Sequence, residues 1–454
     1  MSDNNFSRRK FLAGAAAVGA AGAMGVGTLS SCSGGGDAAG GQFDWTKREY
    51  PYPPMLDEVP EGKVLKAGVV GCGGRGSGAA VNFLEAGGST VQVTALGDVF
   101  QDRIDSCVEK IKNQTGQEVP AENCFIGFDA FEKVIDSGVD VVILATPPKF
   151  RPQHFEAAVK ARKHVFMEKP IAVDPVGIRQ VLAAAKMADA AGLKVVTGTQ
   201  RRHQHKYVEL FKACNENNAI GKITGANVYW NGGKLWHRDN NTSWSEMEWM
   251  IRDWVNWCWL SGDHIVEQHV HNIDVANWFI GELPVKAVGF GSRQRRVTGD
   301  QYDNFSIDYV YENGMHIHSM CRQINSCVNN VSETIHGTKG HTFSSGSATP
   351  NSITDLDGNE LMTFENHETS PYVQEHKNLI TCIRQNIPFN EAEATANSVM
   401  VAIMGRVSAY TGKEVSWEEM MNSDMKLGPA TYIMGDIGYM ENAVVPVPGT
   451  LEKS

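Results

Sequence analysis

A near-continuous apolar run, Val64-Leu65-Lys66-Ala67-Gly68-Val69-Val70, passes straight into Gly71-Cys72-Gly73-Gly74-Arg75-Gly76. Such a run reads as a strand buried on both faces of a parallel sheet. The loop has the G-x-G-x-x-G spacing, and a helical pattern follows from Gly78 to Ala86. Each glycine has its own physical task. Gly71 permits the tight turn, Gly73 lets backbone approach a pyrophosphate, and Gly76 lets helix pack on strand. A diphosphate then meets the positive end of the helix dipole. Strand, loop and helix in this order predict a dinucleotide-binding unit, with Gly71, Gly73, Gly74, Arg75 and Gly76 as candidate cofactor contacts.

A second strand, Val91 to Leu96, leads to Asp98, 22 positions after Gly76. An acid about 20 residues beyond the loop hydrogen-bonds a ribose 2′-hydroxyl in such folds. A carboxylate there repels a 2′-phosphate, so NAD is favoured over NADP. Further apolar runs cover Val139–Ala145, His164–Met167 and Lys194–Thr197. Helical patterns at Pro152–Ala161 and Asp174–Ala191 alternate with them, which predicts a doubly wound α/β domain. Ligands on these sheets bind beyond the carboxyl ends of the strands. Thr146-Pro147-Pro148 and Glu168-Lys169-Pro170 both follow strands, so both are expected to face the nicotinamide.

The chain has 454 residues, about three times the ~150 of a single domain, so two folded domains are expected. Its net charge of −11 argues against a nucleic-acid partner, which would need a basic footprint. Past the N-terminus no apolar run approaches the ~20 residues of a membrane span.

The N-terminus reads as an address. Ser7-Arg8-Arg9-Lys10-Phe11-Leu12 precedes small and apolar residues from Ala13 to Leu29, the pattern of a twin-arginine signal peptide. Leu29-Ser30-Ser31-Cys32 resembles a lipobox, with Cys32 as the lipidated residue and the one expected membrane contact. Residues 1–31 are therefore read as signal and 32–62 as flexible linker. A cofactor domain is expected over 63–200, a substrate domain over 201–425 and a tail without assigned function over 426–454. The expected location is periplasmic or membrane-anchored. None of the nine cysteines forms a C-x-x-C pair, so buried thiols are expected rather than a disulfide framework.

The order G-x-G-x-x-G, Asp98, Thr146-Pro147, His154, Glu168-Lys169-Pro170 resembles the Gfo/Idh/MocA family, named for glucose–fructose oxidoreductase, inositol dehydrogenase and a rhizopine-catabolism protein. The similarity runs from about Val64 to Trp417. Gly337-Thr338-Lys339-Gly340 and Thr411-Gly412-Lys413-Glu414-Val415 fit it too. It implies an N-terminal doubly wound Rossmann domain and a C-terminal α/β domain. The latter carries a large, mostly antiparallel open sheet that covers substrate and often makes an oligomer contact, so a homo-oligomer is expected. It also implies hydride transfer between NAD(P) and a hydroxyl carbon of a sugar or cyclitol. Thr146, Pro147, His154, Glu168 and Lys169 then join the cofactor contacts, and Lys169 lies beside the substrate carbon. An ammonium there can donate hydrogen bonds to a developing alkoxide.

Glu267-Gln268-His269-Val270-His271 aligns with the family's Asp-x-x-x-His, with Glu in place of Asp. Positions four apart on a helix share a face, so Glu267 and His271 are expected to reach one substrate. His271 would accept or relay the hydroxyl proton and Glu267 would orient it. Arg201 opens the second domain where the family often has an Arg near cofactor or substrate. His264, Glu267 and His271 would share one helical face, but no firm metal-ligand spacing is present and no metal is expected. Eight of the ten tryptophans lie between Trp230 and Trp278. Most are expected in the core, with one to three stacking on a sugar.

The expected activity is NAD-dependent oxidation of a CH–OH group of a sugar or glycoside, with NAD tightly bound. Twin-arginine export carries folded proteins, and no free nicotinamide pool is expected outside the cytoplasm. The alternative is a redox-neutral glycosidase or lyase that passes through a transient keto-sugar. A non-catalytic sugar-binding lipoprotein is a third reading, which the presence of Lys169 and His271 disfavours.

Overall fold

A computed structural model describes residues 52–449. The twin-arginine segment, Cys32 and most of the expected linker lie outside the described residues. The first domain alternates as expected: β1 (Leu65–Val70), α1 (Gly74–Gly87), β2 (Val91–Asp98), α2 (Gln101–Thr115), β3 (Cys124–Ile126), α3 (Ala130–Asp136), β4 (Val141–Leu144), α4 (Arg151–Lys160), β5 (His164–Met167), α5 (Pro175–Ala190) and β6 (Val195–Thr197). Its six strands are all parallel, in the order β3-β2-β1-β4-β5-β6. The order reverses between β1 and β4, which opens a crevice at their carboxyl ends. All four residues of β4 are buried, the reason its run lacks alternation.

The second domain begins with α6 (His205–Phe211), β7 (Ile223–Gly232), α7 (Glu246–Arg252) and α8 (Val270–Ile280). Then come β8 (Lys286–Ser292), β9 (Asn304–Val310), β10 (His316–Gln323), β11 (Asn330–Gly337), β12 (Gly340–Phe343), β13 (Asn351–Asp355) and β14 (Glu360–Phe364). α9 (Pro371–Arg384), α10 (Ala392–Thr411), β15 (Val415–Ser416) and α11 (Trp417–Asn422) complete it. The nine-stranded sheet runs β14-β13-β12-β11-β7-β10-β9-β8-β15. Only β7 and β10 pair in parallel. β10 alternates exposed and buried positions, the signature of a sheet with one solvated face. α8 and α10 cover the other face.

Three of the expected segment boundaries change. α9 packs on α1, and its Val373, Leu379, Ile380 and Cys382 join the first domain's core with Leu65 and Phe83. The β6 residue Val195 also bonds the chain after α9, donating to Phe389 O and accepting from Glu391 N–H, each at 3.0 Å. The first domain is thus completed from inside the expected 201–425 segment. Residues 52–62, expected as linker, lie along α9. Gln374 Nε2 donates to Leu56 O (3.0 Å), Lys377 Nζ to Asp57 O (2.5 Å) and Arg384 Nη1 to Pro60 O (2.6 Å). The C-terminal segment is packed as well. Tyr432 stacks on Trp259 with centroids 6.2 Å apart and meets Phe150 edge-on at 5.0 Å. Glu246 accepts from the N–H groups of Ile437 (2.7 Å) and Gly438 (2.6 Å).

Candidate active site

The glycine loop shows why side chains are excluded from it. Gly71 has φ +92°, and a Cβ there would lie 2.5 Å from Thr146 N. A Cβ on Gly76 would lie 1.7 Å from Gly71 O. At Gly73 and Gly74 a Cβ meets nothing within 4 Å, so these two face open space. The N-cap of α1 is Gly73, with no side-chain cap and no acid in the first turn. Its first N–H groups and its positive dipole end are therefore left for an anion.

A cavity of about 450 Å³ opens from this loop, lined by Gly73, Asp98, Thr146, Pro147 and His154 among others. This fits a dinucleotide: open backbone for a diphosphate, a carboxylate at the end of β2 for a ribose, and Thr146-Pro147 after β4. Asp98 Oδ2 accepts from Cys72 N–H (2.7 Å) and Oδ1 from Phe100 N–H (3.0 Å). Burial raises its pKa above the ordinary carboxylate value, and these N–H groups offset only part of the rise. A carboxylate has about four acceptor positions, so capacity remains for ribose hydroxyls. His154 stacks on Phe131 at 4.3 Å, and its Nδ1 lies 3.3 Å from Thr146 Oγ1. Burial first, then Arg151, hold its pKa down to about 3, so the ring is neutral.

The second domain closes the cavity. Trp236, Arg238, Ile251, Arg252 and Trp254 line its far wall. Arg252 donates to both oxygens of Asp102 on α2, at 3.2 and 3.0 Å, and its guanidinium sits 3.9 Å from the centre of the Phe100 ring. Behind this wall lies an apolar cluster. It joins Phe100 and Phe150 of the first domain to Met247, Trp257 and Trp259 of the second, with Tyr432 and Tyr439 of the C-terminal segment against it.

Lys169 follows β5 and reaches across to the second domain. Its Nζ donates to Glu267 O (2.5 Å) and to Glu267 Oε1 (3.1 Å). His271 is buried and stacks on Trp230 with centroids 5.7 Å apart. Burial, then the charges of Lys169, Arg201 and Arg75, push its pKa well below the ordinary histidine value. Lys169 pairs with Glu267, and neutral His271 stacks on Trp230 within the field of the Lys169 charge; these four side chains lie beyond the residues that line the cavity at the glycine loop.

The expected helix through this motif is interrupted. A short helical turn spans His264–Glu267, and α8 starts anew at Val270. The physical cause is tertiary. Gln268 accepts from Gln323 (2.6 Å), His269 bonds Ser319 (2.7 Å), and His269 N–H closes back on His264 O. Glu267 ends the first turn and His271 lies in the first turn of α8, so the two do not share one uninterrupted helix. His264 turns to Asp263 (3.1 Å) and Phe305. His264, Glu267 and His271 do not bring three ligand atoms together.

Two expected contacts have further partners. Arg75 lines the cavity, and its guanidinium bonds Glu168 and Glu375 (3.3 Å), over the Tyr372 ring at 4.6 Å. Arg201 is buried in an ion pair with Glu333 at 2.6 Å, 5.7 Å from the Trp230 ring centre. It reaches the site through its charge on His271 and as a neighbour of Trp230. Glu375 was not anticipated. It is fully buried on α9, and burial raises its pKa well above the carboxylate range. Arg151 is a second addition: its Nη1 donates to Glu168 O (2.9 Å) and Pro170 O (2.6 Å), holding the turn that carries Lys169. Of the tryptophans, Trp257, Trp259 and Trp278 are core, while Trp230 borders the Lys169 site.

Two family profiles match the chain. An oxidoreductase family profile with an NAD-binding Rossmann fold covers residues 65–196, and a GFO/IDH/MocA C-terminal domain profile covers 208–342. The chain belongs to the GFO/IDH/MocA oxidoreductase family. Myo-inositol 2-dehydrogenase of Thermotoga maritima is 28% identical over 228 residues, 50% of this chain and 58% of that protein. A glycosyl hydrolase family 109 protein of Streptomyces coelicolor is 29% identical over 171 residues, 37% of this chain and 34% of its own length. The matched region thus spans less than two thirds of each. Aldose-aldose oxidoreductase from Caulobacter crescentus, complexed with glycerol, superposes with a TM-score of 0.62 at 19% identity, over 78% of this chain and 100% of that one. Scyllo-inositol dehydrogenase from Lactobacillus casei, with NAD(H) and scyllo-inositol, gives 0.59 at 20% identity, over 78% and 99%. These structures share the Rossmann domain and the mostly antiparallel second sheet.

Proposed function

We propose that the protein moves hydride between tightly bound NAD and a hydroxyl carbon of a sugar or glycoside, with a second, carbonyl-bearing sugar taking the hydride back to regenerate NAD before the next turnover. One observation carries the reading: Lys169 of the first domain is bonded to Glu267 of the second, beside a histidine kept neutral by burial. NAD, when bound, supplies the hydride acceptor. The glycine loop and Asp98 hold it, and Thr146, Pro147 and His154 line its cavity. Lys169 orients the substrate hydroxyl and donates hydrogen bonds to the oxygen as negative charge grows there. Neutral His271 takes the proton, and Glu267 fixes the Lys169 ammonium. Trp230 offers an aromatic face to sugar C–H groups.

The inositol and aldose relatives support a polyol or sugar substrate. Closure of the cavity by Arg252 and the tryptophan-rich segment supports a retained cofactor. We place the protein outside the cytoplasm by the twin-arginine route, tethered through lipid on Cys32, and as a homo-oligomer through the open face of its second sheet. The glycosyl hydrolase relative favours a second reading, in which oxidation is transient, a glycosidic substituent is eliminated and the hydride returns.

Denaturing the purified protein and assaying the supernatant for nucleotide tests the shared premise. NAD(H) is expected without any having been added. An empty protein that also fails to bind added NAD overturns both readings. Incubation with a panel of glycosides separates them, because a keto product marks the first and a free aglycone the second.

A further inference from the structure

Given the bound NAD of the reading above, on which this rests, we propose that the second domain holds the adenosine half of the cofactor through Trp236, Arg238 and Trp254. The tryptophans of this wall then serve the nucleotide rather than the sugar. All three side chains line the cavity that opens from the glycine loop. Trp236 and Arg238 belong to the loop 233–245 between β7 and α7, and Trp254 opens the helical turn Trp254–Asn256 after α7.

Asp98 marks the adenosine end of the cavity, because the acid after the second strand meets the adenosine ribose in such folds. The wall stands at this end. Phe100 N–H donates to Asp98 Oδ1 at 3.0 Å, and the Arg252 guanidinium sits 3.9 Å from the centre of the Phe100 ring. Trp254 is two residues beyond Arg252, and Trp236 meets it edge-on with centroids 6.3 Å apart. The residues of the proposed hydride-transfer site, Lys169, Glu267, His271 and Trp230, are not among those that line this cavity. Aromatic rings nearer Asp98 already carry partners: Arg252 lies on Phe100, and His154 stacks on Phe131 at 4.3 Å. Trp236, by contrast, is 45% exposed, an indole left open on the cavity.

The loop is built to present these groups. Arg238 N–H donates to Asp253 Oδ1 at 2.8 Å, and Arg238 O accepts from Trp249 Nε1 at 2.8 Å. Asn256 Nδ2 donates to Trp236 O at 3.3 Å and to Asp253 Oδ1 at 2.7 Å. Asp253 and Asn256 are buried, so the core fixes the loop backbone while the Trp236 and Arg238 side chains stay exposed. The Arg238 guanidinium lies 5.6 Å from the centre of the Trp236 ring and has no ion-pair partner among the described residues. Bases stack on aromatic side chains, which suits the two indoles to adenine. A guanidinium suits phosphate, so the Arg238 charge adds attraction for the cofactor's diphosphate. Because this wall belongs to the second domain, the nucleotide joins the two domains and is held by both.

The test is nucleotide release from full-length protein loaded with NADH and diluted into excess NAD, in wild type, Trp236→Ala, Arg238→Ala and Trp254→Phe. Trp236 and Arg238 are exposed, so their variants should fold, which circular dichroism checks. Trp236→Ala should speed release roughly five- to hundred-fold, the range of base stacking on an aromatic side chain. Arg238→Ala should speed it severalfold and make it less sensitive to salt. Trp254→Phe, which keeps a ring face, should stay close to wild type. A second readout uses protein loaded with etheno-NAD: indole should quench the etheno-adenine emission in wild type, and Trp236→Ala should lose that quenching. Release within about twofold of wild type in both alanine variants, with quenching unchanged, overturns the proposal and leaves bound NAD standing. A wild type that neither carries nor binds nucleotide overturns the bound-NAD reading, and this proposal with it.

Discussion

Replacing Arg252 with alanine should make the enzyme leak its cofactor. Arg252 of the second domain both lines the cofactor cavity and grips α2 of the first, through Asp102 at 3.2 and 3.0 Å. The Asp102 side chain is 58% exposed and that of Arg252 15%, so screening keeps the pair near ~0.2–1 kcal/mol. The guanidinium over Phe100 adds about 0.5–1 kcal/mol. A total of about 1–2 kcal/mol corresponds to roughly five- to thirty-fold faster nucleotide release. The assay is a chase: protein loaded with NADH is diluted into excess NAD, and the loss of bound-nicotinamide fluorescence is followed. Salt should speed release from the wild type and have less effect on the variant, since the exposed part of the clamp is electrostatic. Release within twofold of wild type, from a variant with unchanged melting temperature, would refute the idea that this wall retains the cofactor.

Further outcomes are expected. Lys169→Ala should keep its NAD(H) yet lose turnover by roughly 10²–10⁴-fold, read by nucleotide content and rate on one sample. Gly73→Ala should fold normally but bind NAD poorly, because its Cβ enters space left for the diphosphate. Gly76→Ala should lower the melting temperature as well, because its Cβ would lie 1.7 Å from Gly71 O. Stability should fall on acidification. His154 and His269 are held by burial to about 3 and His164 to about 4, against 6.5 when free. Unfolded imidazoles take up protons below pH 6.5 and folded ones do not. Their contribution is therefore complete above 6.5 and is lost as pH falls towards 4 and then 3. Denaturant midpoints across this range check it, and His154→Gln should flatten the slope.

Much of the first domain was legible because its signals are local. The strand His164–Met167 is bounded as its apolar run indicates, and α4 and α5 agree with their patterns to within one residue. The α1 helix begins at Gly74 rather than Gly78, since glycines weaken a helical pattern that the loop geometry nevertheless starts. The partners of Arg75 were not legible. Glu375 lies 300 residues away, and only the fold brings that buried acid beside Arg75. The break between Glu267 and Val270 was hidden for a similar reason: Gln323 and Ser319, which draw Gln268 and His269 out of helical register, belong to β10. The C-terminal segment has no periodicity because it packs through isolated aromatics such as Tyr432, not as a helix or strand.

The central claim is that one pocket holds a dinucleotide against a sugar carbon, with Lys169 and His271 closing around the hydroxyl. Its most direct test is single-turnover absorbance of the protein as purified, mixed anaerobically with sugars and glycosides and no added cofactor. The account predicts that some substrate in the panel reduces the bound nicotinamide, seen as new near-ultraviolet absorbance, and that Lys169→Ala carrying the same nucleotide stays unreduced. Equal reduction in the Lys169 variant, or none in wild type carrying the oxidised nucleotide with any polyol, sugar or glycoside, would contradict it.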